Sequence, residues 1–398
     1  MIDHKFNFKK ASELLKPVIR NTTLIKSDYF SDISNNNVYI KPENLQMTGS
    51  FKIRGAYNKI SKLNEDEKNR GIITASAGNH AQGVSFSAKT QNIEAIICMP
   101  EQTPMIKVDG TLKYGAKVRL QGSNFDQTNE YAMNLSKTQG YTYIPPYDDY
   151  DVIEGQGTIA FEILKENPEI DYILVPVGGG GLISGVALCA KEINPKIKII
   201  GVEPKNAASM QKSVKCNKII KLDSTDTIAD GTAVAKVGEK TFEICKDYVD
   251  GWISITEDEL LESFIELIEK HKLVSEPSGL LSIAAVKKLD FFNKNICCII
   301  SGGNIDMSFV SQLIDKGLFV SNRIHTFRLE ISNTPGSLEK LLSIFAQTKA
   351  NIMSIYHDLW GEASRYKNIF VEITAEINGS DHLQKIIEKL QKEGYKID

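Results

Sequence analysis

Over roughly its first 320 residues the chain alternates short apolar runs with longer stretches of helical period, and this alternation restricts the fold most. Ile72–Ala75, Glu94–Met99, Lys117–Leu120, Tyr172–Val177, Lys198–Val202 and Ile296–Ile300 read as strands. Several are continuous and β-branched, the pattern of strands buried on both faces. Between them, Ser50–Lys62, His80–Lys89, Asn124–Lys137, Glu154–Lys165, Leu182–Ile193, Thr256–Lys270 and Ser278–Lys287 read as helices. Such alternation predicts an α/β fold with mostly parallel sheets. The pattern changes near Val320. Strand Thr326–Ile331, helix Gly336–Thr348, strands Ile352–His357 and Asn368–Ile377, helix Asp381–Lys392 and a short last strand give the βαββαβ order of a ferredoxin-like unit. The expected division is therefore 1–320 and 324–398.

The bulk properties narrow the function. At 398 residues the chain is long enough for two or three domains. With 47 basic against 50 acidic residues, no broad nucleic-acid surface is indicated. No apolar run approaches the ~20 residues of a membrane span, and no secretory h-region is visible. The six cysteines form no C-x-x-C pair, and Cys98, Cys189, Cys297 and Cys298 lie in apolar runs, as buried thiols of a cytoplasmic protein would. The six histidines are scattered, so no zinc cluster is expected.

Four turns carry candidate chemistry: Thr48–Gly55, Ser76–His80, Gly178–Gly181 and Ser301–Asn304. In open α/β sheets ligands bind beyond the carboxyl ends of strands, so four such turns suggest one shared site. Gly178-Gly179-Gly180-Gly181 follows an apolar strand and opens a helix, a place where backbone N–H groups and the helix dipole suit a phosphate. It is not a Walker A loop, because no Gly-Lys-Ser/Thr follows. Nor is it a good dinucleotide fingerprint, since the third glycine would fall at Ile183; Glu203, about 20 residues on, still keeps a nicotinamide reading open. Lys52 sits between Phe51 and Ile53 near a helix start, where apolar surroundings and the dipole disfavour its charge. A neutral amine is what Schiff-base chemistry needs, and with a phosphate cradle it suggests pyridoxal phosphate.

These motifs resemble those of the tryptophan-synthase-β-like (fold type II) pyridoxal-phosphate enzymes, specifically the threonine ammonia-lyases. Ser50-Phe51-Lys52-Ile53-Arg54-Gly55-Ala56, Thr74–Gly83, Gly178–Leu182, Glu276-Pro277-Ser278-Gly279 and Ser301-Gly302-Gly303-Asn304 carry the resemblance, which covers the whole chain. It implies a two-lobed catalytic region, with a smaller lobe over about 45–150, followed by an ACT-like regulatory domain. By that resemblance Lys52 would carry pyridoxal 5'-phosphate, Phe51 would lie along its ring, and Asn79 would meet its phenolic oxygen. Gly178, Gly179, Gly180, Gly181 and Leu182 would hold the phosphate, and Ser301 would face the pyridine nitrogen. Ser76, Ala77, Gly78, Asn79 and His80 would hold the substrate carboxylate.

The implied reaction begins with Lys52, freed by L-threonine, taking the α-proton as general base. The cofactor spreads the negative charge, the β-hydroxyl leaves, and the product hydrolyses to 2-oxobutanoate and ammonia. L-Serine would give pyruvate in the same way. Serine racemase, a related activity, needs a proton donor on the opposite substrate face, where the family places a serine and this chain has Ala77. Racemases also tend to hold a divalent cation after Gly-Val-Glu-Pro; here Glu203 is present, but Ser209 stands where an acid is expected, and no metal is assigned. A non-enzymatic amino-acid sensor would rest on the ACT-like part alone. In that part Asn333, Gly336, Leu338, Asn351 and Ile352 are the candidate effector residues, with isoleucine the natural effector of a biosynthetic enzyme and another effector expected of a degradative one. A homo-oligomer, dimer or tetramer, is expected.

Overall fold

The computed structural model describes residues 4–358 and 367–397. The chain divides into one compact unit ending at Asp306 and a second beginning at Met307.

The first unit contains two sheets. In the larger, the strands run in the order Ile25–Ser27, Asn37–Pro42, Asn295–Ile300, Tyr172–Pro176, Lys198–Pro204 and Gly251–Ile255. Its first pair is antiparallel and every other neighbouring pair is parallel. The smaller sheet is wholly parallel, in the order Lys117–Leu120, Ala95–Met99, Ile72–Ala75, Thr142–Tyr143. Ile72–Ala75 and Ala95–Met99 are buried along their whole length, as the β-branched runs require of strands covered on both faces. The smaller sheet draws its strands from Ile72 to Tyr143.

Local chemistry fixes several helix starts. Thr256 caps the helix Glu257–His271 by accepting from Glu259 N–H, while the Glu259 carboxylate accepts from Thr256 N–H, a reciprocal box that satisfies two free donors. The helix Phe125–Gln139 begins under the Asn124 side chain and ends at Gly140, whose φ is 80°.

Strands Ile25–Ser27, Asn37–Pro42, Thr142–Tyr143 and Gly251–Ile255 were absent from the sequence expectation. Asn37–Pro42 is instructive. It carries Lys41 and Pro42, residues that read as surface or turn, yet Lys41 is fully buried and donates to Glu162, 2.7 Å away. All six cysteines are free, and only Cys216 is exposed.

The second unit is a three-stranded antiparallel sheet in the order Ile324–Ser332, Asn368–Glu376, Asn351–Asp358, with helices Ser337–Thr348 and Gly379–Lys392. Near the end of the chain, Ile397 bridges to Leu329 on the other side of the first strand. This reproduces the βαββαβ order read from the sequence. One face of the sheet is buried: Phe327, Leu329, Ile331, Val371 and Ile373 pack with Leu341, Phe345, Ile386 and Leu390.

The unit also includes the helix Met307–Val320, which the sequence reading left in the catalytic region. The physical reason is continuity. Arg323 N–H bonds Leu318 C=O, closing a turn that feeds the helix directly into Ile324–Ser332, and Ile377 N–H bonds Arg323 C=O.

Candidate active site

Three loops leave one rim of the larger sheet, after the parallel strands Asn37–Pro42, Asn295–Ile300 and Tyr172–Pro176. Ser76–His80 leaves the corresponding end of Ile72–Ala75 in the smaller sheet. Side-chain and backbone bonds tie the loops together. Phe51 N–H donates to Ser301 C=O at 3.0 Å, Gly303 N–H to Gly49 C=O at 2.8 Å, and Glu276 N–H to Gly302 C=O at 3.2 Å. Asn304 Nδ2 reaches Asn79 Oδ1 at 2.7 Å, and Asn79 Nδ2 reaches Glu276 Oε1 at 2.6 Å, so the two sheets meet through side chains.

A small chamber of about 40 Å³ is lined by Phe51, Lys52, Asn79, Gly178, Gly179, Gly180, Gly181, Leu182 and Ser301, with Tyr147, Thr232, Glu276 and Ser278. It adjoins a cleft of about 1130 Å³ lined by Ser76, Ala77, Gly78, Asn79 and His80; Lys52, Tyr147 and Glu276 line both spaces. Every residue expected at the cofactor therefore lines one chamber, and the expected carboxylate loop faces the adjoining cleft.

The tetraglycine is shaped for an anion. Gly180 has φ 91° and precedes the helix Gly181–Ile193, which has no side-chain cap, so its first N–H groups are free for a ligand. Only glycine tolerates that position, since a Cβ would also lie 2.5 Å from Met210 Cε. At Gly302 a Cβ would lie 2.1 Å from Glu276 Oε1, so any side chain there would displace that carboxylate.

Lys52 begins the helix Lys52–Ser61, and its Nζ donates to Pro146 C=O at 2.9 Å. Burial pulls its pKa down to about 8, against an upward pull from Glu276. Burial, with the Asp230 charge, pushes Glu276 up to about 8. His80 is depressed to about 3, by burial and by the charge of Lys52, while its Nε2 bonds Ile144 C=O at 3.0 Å. Neutral His80 therefore donates from Nε2 and acts as a strut rather than an acid. A nucleophilic lysine, an uncapped glycine cradle and a serine hydroxyl in one chamber fit a phosphorylated aldehyde cofactor.

The family model described as "Pyridoxal-phosphate dependent enzyme" matches residues 15–302. The chain belongs to this family of pyridoxal-phosphate dependent enzymes. It is 40% identical over 392 residues to an L-threonine ammonia-lyase from Thermotoga maritima, covering 98% of each chain. Among solved structures it is similar to the processed form of threonine deaminase isoform 2 from Solanum lycopersicum: 41% identity, TM-score 0.75, 77% of this chain and 92% of that one. It is also similar to maize serine racemase, at 35% identity and TM-score 0.74, over 78% of this chain and 97% of that one.

Two further features bear on the sequence reading. Glu203 is buried, and its carboxylate accepts from Met210 N–H at 2.9 Å and Gln211 N–H at 2.7 Å. It closes the start of the helix Ser209–Lys215, which removes it from the ribose role that the nicotinamide reading required. Among the described residues no group of three or more His, Cys, Asp or Glu side chains is placed to hold a metal.

Sequence reasoning missed the ion network behind Lys52. Arg54, fully buried, forks onto Glu43 with bonds of 2.8 Å and onto Glu162 with bonds of 2.7 and 2.8 Å; Glu162 also takes Lys41. It also missed Tyr147, whose ring lies over Gly179, and Thr232 beside Gly178. The quoted Glu276 and Asn304 were visible as motif letters but had no role.

In the second unit the expected effector residues do not gather. Asn333 and Gly336 follow Ser332, which pairs with Asn368; Asn351 pairs with Glu376, at the other end of the same strand. Those partners are eight positions apart, roughly 27 Å of strand. Leu338 and Ile352 pack onto the unit's core.

Proposed function

We propose that this chain deaminates L-threonine to 2-oxobutanoate and ammonia, and L-serine to pyruvate. The observation that carries the reading is the single chamber holding Lys52, Gly178–Leu182 and Ser301, opening beside the Ser76–His80 loop. Bound there, pyridoxal phosphate would supply an electron sink for the pair left when the α-proton departs. Lys52, its pKa lowered by burial, would attach the cofactor and, once freed, move the α-proton. Backbone N–H groups of Gly178–Leu182 would hold the phosphate, and Phe51 would lie along the ring. Asn79 would give an N–H to the phenolic oxygen.

Ser301 would face the pyridine nitrogen with a hydroxyl, which could not protonate it as a carboxylic acid would. The helix Asn79–Thr90 starts without a side-chain cap, so the N–H groups of its first turn and the preceding loop receive the substrate carboxylate. The test is direct: purified protein with L-threonine should release ammonia and 2-oxobutanoate in equal amounts. Cofactor-loaded protein that releases neither removes the reading and leaves a non-enzymatic amino-acid sensor.

The likeness to maize serine racemase supports a second reading, racemisation of serine. Ala77 lines the cleft with a methyl group, which offers no proton to a substrate carbanion, and elimination is favoured. Chiral analysis of remaining serine distinguishes the two.

The second unit is read as an ACT-like regulatory domain on a cytoplasmic homo-oligomer, dimer or tetramer. One amino acid the size of isoleucine cannot touch both Asn333 and Asn351 of the same chain, given their separation along the sheet. An effector site using both sets therefore needs two copies, and a site in one copy uses either Asn333, Gly336 and Leu338 or Asn351 and Ile352. Threonine kinetics with isoleucine and with valine, alongside size-exclusion behaviour, test this and separate a biosynthetic from a degradative role.

A further inference from the structure

The Asn304 side chain makes two hydrogen bonds from one nitrogen. Its Nδ2 donates to Thr48 C=O at 2.7 Å and to Asn79 Oδ1 at 2.7 Å. A backbone carbonyl only accepts, so Thr48 fixes which end of the Asn304 amide faces it. With Nδ2 so fixed, the Asn79 atom 2.7 Å away must be the acceptor, its Oδ1. Asn79 Nδ2 then lies 2.6 Å from Glu276 Oε1, and its second hydrogen is left for the chamber that Asn79 lines. The order is Thr48 C=O, Asn304, Asn79, Glu276, each link setting the orientation of the next.

We propose that Asn304 is a positioning residue: it locks the Asn79 amide so that Asn79 offers an N–H, and not its carbonyl, to the phenolic oxygen of the cofactor. The proposal rests on the reading that pyridoxal phosphate occupies the chamber with Asn79 at that oxygen. Glu276 alone cannot provide the lock. Burial raises its pKa to about 8, so near neutrality it can carry a proton and donate to a flipped Asn79 carbonyl. The Thr48 carbonyl has no such second state, and Asn304 therefore enforces one orientation throughout the working pH range. An inverted Asn79 would set carbonyl oxygen against the phenolic oxygen and amide nitrogen against Asn304 Nδ2, losing two bonds at once.

The test uses the holoenzyme and a double-mutant cycle of Asn304→Asp with Asn79→Leu. Two quantities are read: the dissociation constant of pyridoxal phosphate and the position of its visible absorption band when bound. Asn304→Asp keeps the shape but replaces the donor by an acceptor. It should weaken cofactor binding about 10- to 100-fold and move the band. In an Asn79→Leu background the same substitution should change either quantity less than about twofold. Equal effects in both backgrounds overturn the proposal, because Asn304 would then act through the Thr48 loop alone.

If Asn304→Asp does not fold, Asn304→Ser serves: its single hydroxyl hydrogen can satisfy only one of the two acceptors, and the same cycle applies. If Asn79→Leu moves band and affinity while the Asn304 variants move neither, the proposal fails and the site reading stands. If Asn79→Leu itself moves neither, the placement of Asn79 at the cofactor fails, and the proposal with it.

Discussion

The two units bury different kinds of residue. In the first, Lys41, Glu43, Arg54, His80, Glu203 and Glu276 are all buried, at or near the loops beyond the strand ends. In the second, every buried residue among those described is apolar or glycine. Sheet type accounts for the difference. Parallel strands covered on both faces leave polar groups no exposed face, so these collect at the strand ends and must be paired there. The antiparallel sheet keeps one open face, as the burial of alternate residues in Asn368–Glu376 shows, and its polar residues go there without cost. Buried charged groups and the chemistry they allow thus come with the first arrangement, and a core free of buried polar side chains with the second.

The largest expected effect strikes the polar side of this contrast. Lys52→Ala should lower threonine turnover by at least about 10³-fold and abolish the covalent visible band of the bound cofactor. Ammonia release near the wild-type rate would show that the buried lysine is a bystander. Phe345→Ala strikes the apolar side: Phe345 is fully buried and stacks edge-on against Phe327, with ring centroids 5.2 Å apart. The second unit should lose about 3–5 kcal/mol in denaturant unfolding. Uninhibited threonine turnover should persist under conditions where that unit is already unfolded, and joint loss of both would break the contrast.

A third test concerns pH. A lysine with a pKa of about 8 is about one-tenth neutral at pH 7, against well under a thousandth for an ordinary lysine. Only the neutral amine attacks the aldehyde. Capture of pyridoxal phosphate by the apoenzyme, followed by stopped-flow absorbance, should quicken about tenfold per pH unit below pH 8 and then level off. Continued acceleration to pH 10 would mean that burial does not depress the group. The smallest effect is expected from Ala77→Ser, which adds a donor on the cleft wall. A trace of serine racemisation, on the order of a hundredth of the elimination rate, should appear by chiral chromatography. A wild type that already racemises serine faster than it deaminates threonine would reverse the choice between the two activities.

Strands covered on both faces were readable from their own residues: Ile72–Ala75 lies where the pattern put it, and Ala95–Met99 starts one residue after the expected Glu94. Asn37–Pro42 was not, because its inward lysine is neutralised by Glu162, which lies 121 residues away in the chain. Site residues followed the same division. The glycine cradle and Lys52 carry their chemistry locally, in a run of small residues after a strand and an amine between apolar neighbours. The work of Asn304 lies in two partners, Thr48 and Asn79, more than 200 positions away, and no local pattern shows it. The helix Met307–Val320 was misplaced for the related reason that a boundary is a fact about contacts, and the composition changes only after it.

The Arg54 network has a consequence for how such a chain can vary. Arg54, Glu43, Glu162 and Lys41 come from three separate segments and share one buried charge balance. Replacing any one leaves a buried charge unpaired, at about 3–5 kcal/mol, a large part of a domain's stability. Exchange of the whole set for apolar residues of similar volume can be nearly neutral, but single steps towards it cross a deep valley. The four positions should therefore drift together or stand still. A designer transplanting the Lys52 loop into another scaffold would have to carry the quartet with it.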